Sequence, residues 1–209
     1  MIIGIPVYDK VDLLDVAAPH EVLKWIGPEV EVRLLAASTE KPIVTRDGFR
    51  FLPSHAFAQT TGLDVLWVPG GDPKALARIM SGAAPRDYLD FLVRIASASS
   101  WICSVCEGAL LLAAAGLLDG YRATTHWAFI PCLKQFEKVS VAEGFPRFVV
   151  DRNRLTGGGI SSGLDEALHL VRLLKGDAIA RQVQETLQYY PRPPFPSDLH
   201  VPQRCMFTW

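Results

Sequence analysis

An excess of charge of one sign is missing from this chain. Its 21 lysines and arginines are balanced by 22 aspartates and glutamates, a formal net charge of −1 over 209 residues. Without a basic surplus to neutralise a phosphate backbone, nucleic acid is excluded as the expected partner. Also missing is a basic lead ahead of the first apolar run, Met1 to Tyr8, which Asp9 and Lys10 cut short. That run is read as a buried first strand, not as a signal peptide or a membrane span. The protein is accordingly expected to be cytoplasmic, with no membrane partner. Cysteine is scarce, at four residues. With nothing directing export, the four are expected to be reduced thiols rather than a disulfide framework. Cys132 and Cys205 have no metal-like partners in sequence, so no metal is expected.

What is present is a globular balance, 49% hydrophobic and 21% charged, at a length that suits one α/β domain. Ile2 to Val7 has no polar alternation, the mark of a strand buried on both faces. Pro19 suits a first helical position, with the helix running toward Ile26. A strand over Val30 to Ala37 follows, then a hairpin over Ile43 to Phe51 turned at Asp47-Gly48. Leu63 to Val68 is a buried strand ending in Pro69-Gly70-Gly71. Helices are expected over Ala75 to Met80 and Arg86 to Ala98. Beyond residue 116 come a strand over Arg122 to Thr125, a helix over Trp127 to Leu133, and strands over Phe148 to Val150 and Arg154 to Thr156. Two helices, Leu164 to Leu174 and Ala178 to Leu187, close the pattern. Such alternation predicts a mostly parallel sheet covered on both faces, with its ligand site beyond the carboxyl ends of the strands. No linker or repeat divides residues 1–190, which read as one domain. Residues 191–209 are proline-rich and read as an extended arm.

The most informative segment runs from Trp101 to Gly116. An apolar strand-like stretch meets Cys106, a helix-like stretch starts at Glu107, and Ser104 and Gly108 flank the cysteine at two positions on either side. This is the layout of a nucleophile elbow, in which small neighbours permit a sharp strand-to-helix turn that lifts one reactive side chain. Backbone N–H groups at a helix start favour a thiolate, so the Cys106 pKa is expected below that of a free thiol. The alternative is a small buried core residue. Cys103 completes a Cys-x-x-Cys with Cys106, but it lies within the strand and not on a first helical turn, which disfavours a redox pair.

These segments, together with Leu14-Asp15-Val16-Ala17-Ala18-Pro19-His20-Glu21, Val68-Pro69-Gly70-Gly71, Arg122-Ala123-Thr124-Thr125-His126-Trp127 and Leu155-Thr156-Gly157-Gly158-Gly159-Ile160, resemble the ThiJ/PfpI superfamily, related to class I glutamine amidotransferases. The resemblance spans Ile2 to about Phe195. Within the superfamily the pattern looks most like the isocyanide hydratase branch, including Pro-Pro-Phe at Pro193 to Phe195. The resemblance implies a flavodoxin-like three-layer α/β sandwich, a homodimer, no cofactor, and a small neutral electrophilic substrate. It also places Asp15 against the nucleophile as a general acid or base, where burial would raise its pKa. The competing reading of Asp15 is a helix cap.

Three further positions are candidates. Gly71 is either a plain turn or a close backbone approach whose N–H, with that of Glu107, stabilises an anion. His126 is either the third member of a Cys–His arrangement or a structural residue before Trp127. Glu107 departs from the hydratase pattern, which has threonine after the nucleophile. A carboxylate there would oppose a thiolate if it points at the sulfur, or serve as a second acid. The expected activity is a cofactor-free lyase reaction, isocyanide plus water giving an N-substituted formamide through a thioimidate on Cys106. Glyoxalase-like hydration of reactive carbonyls and a non-enzymatic cysteine redox sensor are the alternatives.

Overall fold

The computed structural model describes residues 1–83 and 87–206. Arg86, the expected start of one helix, and residues 207–209 of the arm lie outside them. The parallel core of the sheet consists of β1 (Ile2–Pro6), β2 (Glu31–Ala36), β6 (Val65–Val68), β7 (Trp101–Ser104) and β11 (Arg154–Gly157). The hairpin β3 (Ile43–Val44) and β4 (Arg50–Phe51) stands apart from it, β5 (His55–Ala56) extends it beyond β2, and β10 (Phe148–Asp151) edges it antiparallel to β11. The order across the sheet is β10-β11-β7-β6-β1-β2-β5. Every residue of β6 and of β11 is buried, as expected for central strands covered on both faces.

Helices α1 (Leu13–Lys24), α6 (Ser162–Lys175) and α7 (Asp177–Thr186) pack together in one group. Helices α2 (Pro73–Met80), α3 (Asp87–Ala96) and α4 (Gly108–Ala114) pack as another. The result is three layers, as expected from the alternation. A short helix α5 (Ile130–Leu133) and a two-stranded ribbon of β8 (Arg122–Ala123) and β9 (Ser140–Val141) lie between α4 and β10 in sequence. The chain leaves β1 toward β2 on one side and reaches β6 on the other. This reversal of strand order opens the crevice where an α/β sheet binds ligands.

Two sequence expectations need correcting. Helix α1 begins at Leu13, so Pro19 lies inside it and not at its start. An internal proline cannot donate to the carbonyl four residues back, here that of Asp15. The Trp67 indole takes that place, its Nε1–H donating to the Asp15 carbonyl at 3.2 Å. A partner from the sheet thus satisfies the acceptor that the helix leaves open, and the helix continues through the proline. The second correction concerns thiols. Cys132 on α5 and Cys205 in the arm form a disulfide, leaving Cys103 and Cys106 as the free cysteines. A separation of 73 residues in sequence hid the pair, because only the folded arm brings the two sulfurs together.

The elbow depends on close backbone approach. A Cβ on Gly108 would lie 2.0 Å from the Val68 carbonyl oxygen at the end of β6. Gly108→Ala is therefore expected to destabilise the fold by about 1–3 kcal/mol through forced backbone displacement. Urea denaturation measures this, and an unchanged midpoint would contradict the tight crossing of β6 and α4.

Candidate active site

Cys106 leaves β7 with φ at +56°, a left-handed conformation rare for a residue with a Cβ. Hydrogen bonds over-determine it. The Cys106 N–H donates to the Gly158 carbonyl at 2.8 Å, and the Thr125 hydroxyl donates to the Cys106 carbonyl at 2.8 Å. On its N-terminal side, the Val105 N–H is fixed to the Val68 carbonyl at 3.1 Å. A strained main chain held by three neighbouring segments is what a nucleophile elbow requires.

Around the sulfur the structure gathers carboxyls. Donor atoms of Asp12, Asp15, Cys106 and Glu107 all lie within 4.8 Å of one another. Cys106 and Asp15 are fully buried, and Glu107 and Asp12 are 3% and 6% exposed. Among the described residues this group has donors suited to a metal, but three acids with so little access to solvent chiefly pose a problem of charge. Arg46 is the cation that eases it. Its guanidinium lies 3.3 Å from Asp12 and pulls down the pKa values of Asp12, Asp15 and Glu107.

One cation does not neutralise the group, so protons remain. Burial, then the charges of Glu107 and Asp12, pushes Asp15 well above the usual carboxylate range despite a hydrogen bond from the Gly70 N–H. That bond, 2.8 Å long, goes to Oδ2, and Oδ1 has no hydrogen-bond partner among the described residues. Asp15 stands third in α1 and does not cap it; Asp12 holds the N-cap position. Glu107 is raised to about 7, chiefly by burial and against the pull of the facing Cys106 thiol. A pKa near neutrality suits a proton acceptor.

The thiol itself departs from expectation. Burial, then Asp15 and Glu107, pushes Cys106 well above a free thiol, with the Ile160 N–H pulling the other way. The expectation of a lowered pKa gave the helix start the greater weight. Full burial outweighs it, and the Asp15 and Glu107 carboxyls act in the same direction as burial. Cys106 therefore rests as a thiol facing Glu107, and Glu107 does point at the sulfur.

The glycines divide their roles. A Cβ on Gly70 would lie 2.9 Å from the Cys106 Cβ and 2.7 Å from the Glu107 nitrogen, so Gly70 abuts the nucleophile. Gly71 instead abuts the loop before α1, where a Cβ would lie 2.6 Å from the Lys10 carbonyl oxygen. The Glu107 N–H faces its own carboxyl and helps to lower its pKa. His126 caps the turn Trp127–Phe129, its Nδ1 accepting from the Ala128 N–H at 3.2 Å. Its ring packs on Gly159, where a Cβ would lie 2.6 Å from Cδ2. Burial and Arg46 lower its pKa, and no hydrogen bond joins it to Cys106 among the described residues. That geometry is structural.

Sequence reasoning missed Asp12, Arg46, Ile160 and Glu166. Asp12 carried a signal, since aspartate before an apolar helix marks an N-cap. Arg46 carried none. It reaches the acids because the hairpin docks on the loop before α1, with the Arg46 N–H donating to the Val11 carbonyl at 3.1 Å and the Lys10 N–H to the Val44 carbonyl at 2.7 Å. Glu166, from α6, is fully buried beside Gly157, and burial raises its pKa strongly.

Glu107 links the site to stability. Its folded pKa of about 7 exceeds the ordinary 4.5, so its favourable contribution is complete below the lower value and is lost as pH rises through the higher. Relative to Glu107→Gln, the wild type is expected to lose up to roughly 3 kcal/mol across that interval. Urea denaturation of both proteins at about pH 5 and about pH 8 measures the difference; parallel changes in the two would contradict a raised Glu107.

Comparison with known proteins agrees with this fold. The chain is 38% identical over 199 residues to isonitrile hydratase of Pseudomonas putida, covering 93% of this chain and 81% of that enzyme. It is 26% identical to the HTH-type transcriptional regulator GbdR of Pseudomonas aeruginosa, covering 90% of this chain but 50% of the regulator. Among solved structures, a THiJ/PfpI family protein from Pseudomonas syringae superposes with a TM-score of 0.83 at 32% identity, covering 93% of this chain and 77% of that one. Drosophila melanogaster DJ-1beta shares the fold, with a TM-score of 0.75 at 18% identity, covering 91% and 98%. Residues 2–173 match the DJ-1/PfpI family, and the chain belongs to it.

Proposed function

We propose that the protein is a cofactor-free lyase that hydrates an isocyanide to an N-substituted formamide, with Cys106 as nucleophile, Glu107 as base and Asp15 as acid. The observation that carries this reading is two buried carboxyls within 4.8 Å of one thiol. Glu107, raised to about 7, faces the sulfur, and Asp15, also pushed well above the usual carboxylate range, keeps an unpartnered Oδ1. A carboxyl raised to near neutrality beside the thiol suits the base, and a second raised carboxyl at the same sulfur suits the acid. The similarity to isonitrile hydratase supports the substrate class.

In this mechanism Glu107 takes the thiol proton as the sulfur attacks the terminal isocyanide carbon. Asp15 protonates that carbon, giving a neutral thioimidate. Water then adds to the same carbon, losing a proton to Asp15 while Glu107 returns its own to nitrogen. Collapse of the adduct sends the hydroxyl proton to Glu107 and expels the sulfur, which recovers its proton and releases the formamide. The backbone N–H of Ile160, directed at the sulfur, stabilises the thiolate as it forms. Because no free thiolate accumulates, a high Cys106 pKa fits this sequence of transfers.

The working assembly we infer is a homodimer. Leu14, beside Asp15, and Phe49 and Leu52, beyond the Arg46 turn, are 40%, 53% and 61% exposed. Exposed large apolar side chains of this kind suit burial by a second copy.

Absorbance assays on an isocyanide panel, with methylglyoxal as the competing carbonyl, test the reaction. Cys106→Ser is expected to abolish isocyanide loss, and Asp15→Asn to slow it about 10²–10⁴-fold with the fold intact. Near wild-type turnover by Asp15→Asn would remove Asp15 from the chemistry, and turnover of methylglyoxal alone would replace the substrate class. Sedimentation equilibrium should show twice the 23.0 kDa chain mass; a monomer at micromolar concentration would overturn the dimer.

A further inference from the structure

A cleft of about 1020 Å³ opens on the far side of the loop that holds the nucleophile. Its floor includes Gly159 and Ile160, and one side is lined by Trp127 and Phe145. The floor is in direct register with the chemistry, since Gly158 accepts the Cys106 N–H and the Ile160 N–H is directed at the sulfur. The charges at its margin are largely engaged. Arg147 donates to Asp165 at 2.6 Å and to the Ser161 hydroxyl and carbonyl at 3.0 and 2.9 Å. Arg192, Thr125, Ser162 and Ser197 also line it, but Trp127, Phe145, Ile160, Leu164 and Leu199 give it an apolar share large enough for a hydrocarbon group of several carbons.

The outer wall comes from the arm, through residues that include Pro193 and Leu199. Between Tyr189 and Cys205 the arm has no regular secondary structure, and residues 190–204 make no backbone hydrogen bond to the body among the described residues. Its near end is fixed where the Tyr189 hydroxyl donates to Asp165 at 3.0 Å. Its far end is fixed by the disulfide to Cys132. Cys132 lies on α5, directly after the turn that carries His126 and Trp127, so the bond joins the arm to the segment forming the opposite side of the cleft.

We propose that this cleft binds the apolar substituent of a neutral ligand, and that the Cys132–Cys205 disulfide holds the arm in place as its outer wall. The ligand's identity as an isocyanide or its formamide rests on the proposed function; the clamped wall does not. A chain segment without its own hydrogen bonds keeps a fixed course only when both ends are tied. Reduction removes one tie. A dithiol attacks the Cys205 sulfur, because Cys132 is fully buried, and releases the Cys132 thiolate. The second thiol of the reductant then resolves the mixed disulfide, leaving two protein thiols and an oxidised, cyclic reductant. Two electrons pass from the dithiol to the protein, and the arm swings away from the cleft.

N-cyclohexylformamide, neutral and apolar, serves as the probe, with affinity measured by titration calorimetry. The oxidised wild-type protein is expected to bind it. Treatment with dithiothreitol should weaken binding about tenfold or more, as the loss of contact with one or two apolar side chains predicts. Cys205→Ser should start at the weakened affinity and ignore the reductant. Leu199→Glu, in the oxidised protein, tests the wall without touching the disulfide and should weaken binding comparably. Equal affinity before and after reduction, or no binding by the oxidised protein, overturns the proposal. Absence of isocyanide turnover alongside redox-dependent binding would refute the hydratase reading alone, and turnover with redox-insensitive binding would refute the clamp alone.

Discussion

The close approach of the β6 exit to the β7 exit governs this molecule, because everything at the site is positioned by it. Gly70 lies against the Cys106 and Glu107 backbone, and Gly108 lies against the Val68 carbonyl. No side chain fits between them, and the three carboxyls and the thiol that meet there are at most 6% exposed. Electrostatics then follows from packing. Charges without water or enough counter-charge keep their protons, and proton affinity becomes the quantity the fold controls. Arg46, nearly half exposed, tempers the group from its edge without entering it.

That logic explains why a carboxyl group can stand directly after Cys106. In open solvent, Glu107 beside a thiolate would simply repel it. In the buried site both groups are pushed toward their protonated forms, which removes that repulsion. A thiol whose pKa is raised by burial also reacts less with oxidants that prefer a thiolate.

The elbow and the parallel order of elements were legible in the sequence because both rest on local patterns. Unbroken apolar runs marked β1 and β6, Asp47-Gly48 marked the hairpin, and small residues around Cys106 marked the turn. The start of α1 was misread because Pro19 usually opens a helix, and only the distant Trp67 makes it tolerable inside one. Arg46 and the Cys132–Cys205 bond were illegible for a related reason, since each depends on segments that meet only after folding. The raised Cys106 pKa was missed because a helix start is visible in sequence, whereas the desolvation that outweighs it is not.

Pro19 and Trp67 carry a consequence for precision. Asp15 is held twice from the sheet side, through its main-chain carbonyl by the indole and through its carboxylate by the Gly70 N–H. An ordinary helical residue is anchored by its own helix and shares that helix's thermal excursions. Here the proline cancels the helix's claim on the carbonyl, and Asp15 takes its reference frame from the rigid sheet that also carries Cys106. Donor and sulfur therefore drift together, and the distance between them is preserved even as α1 breathes.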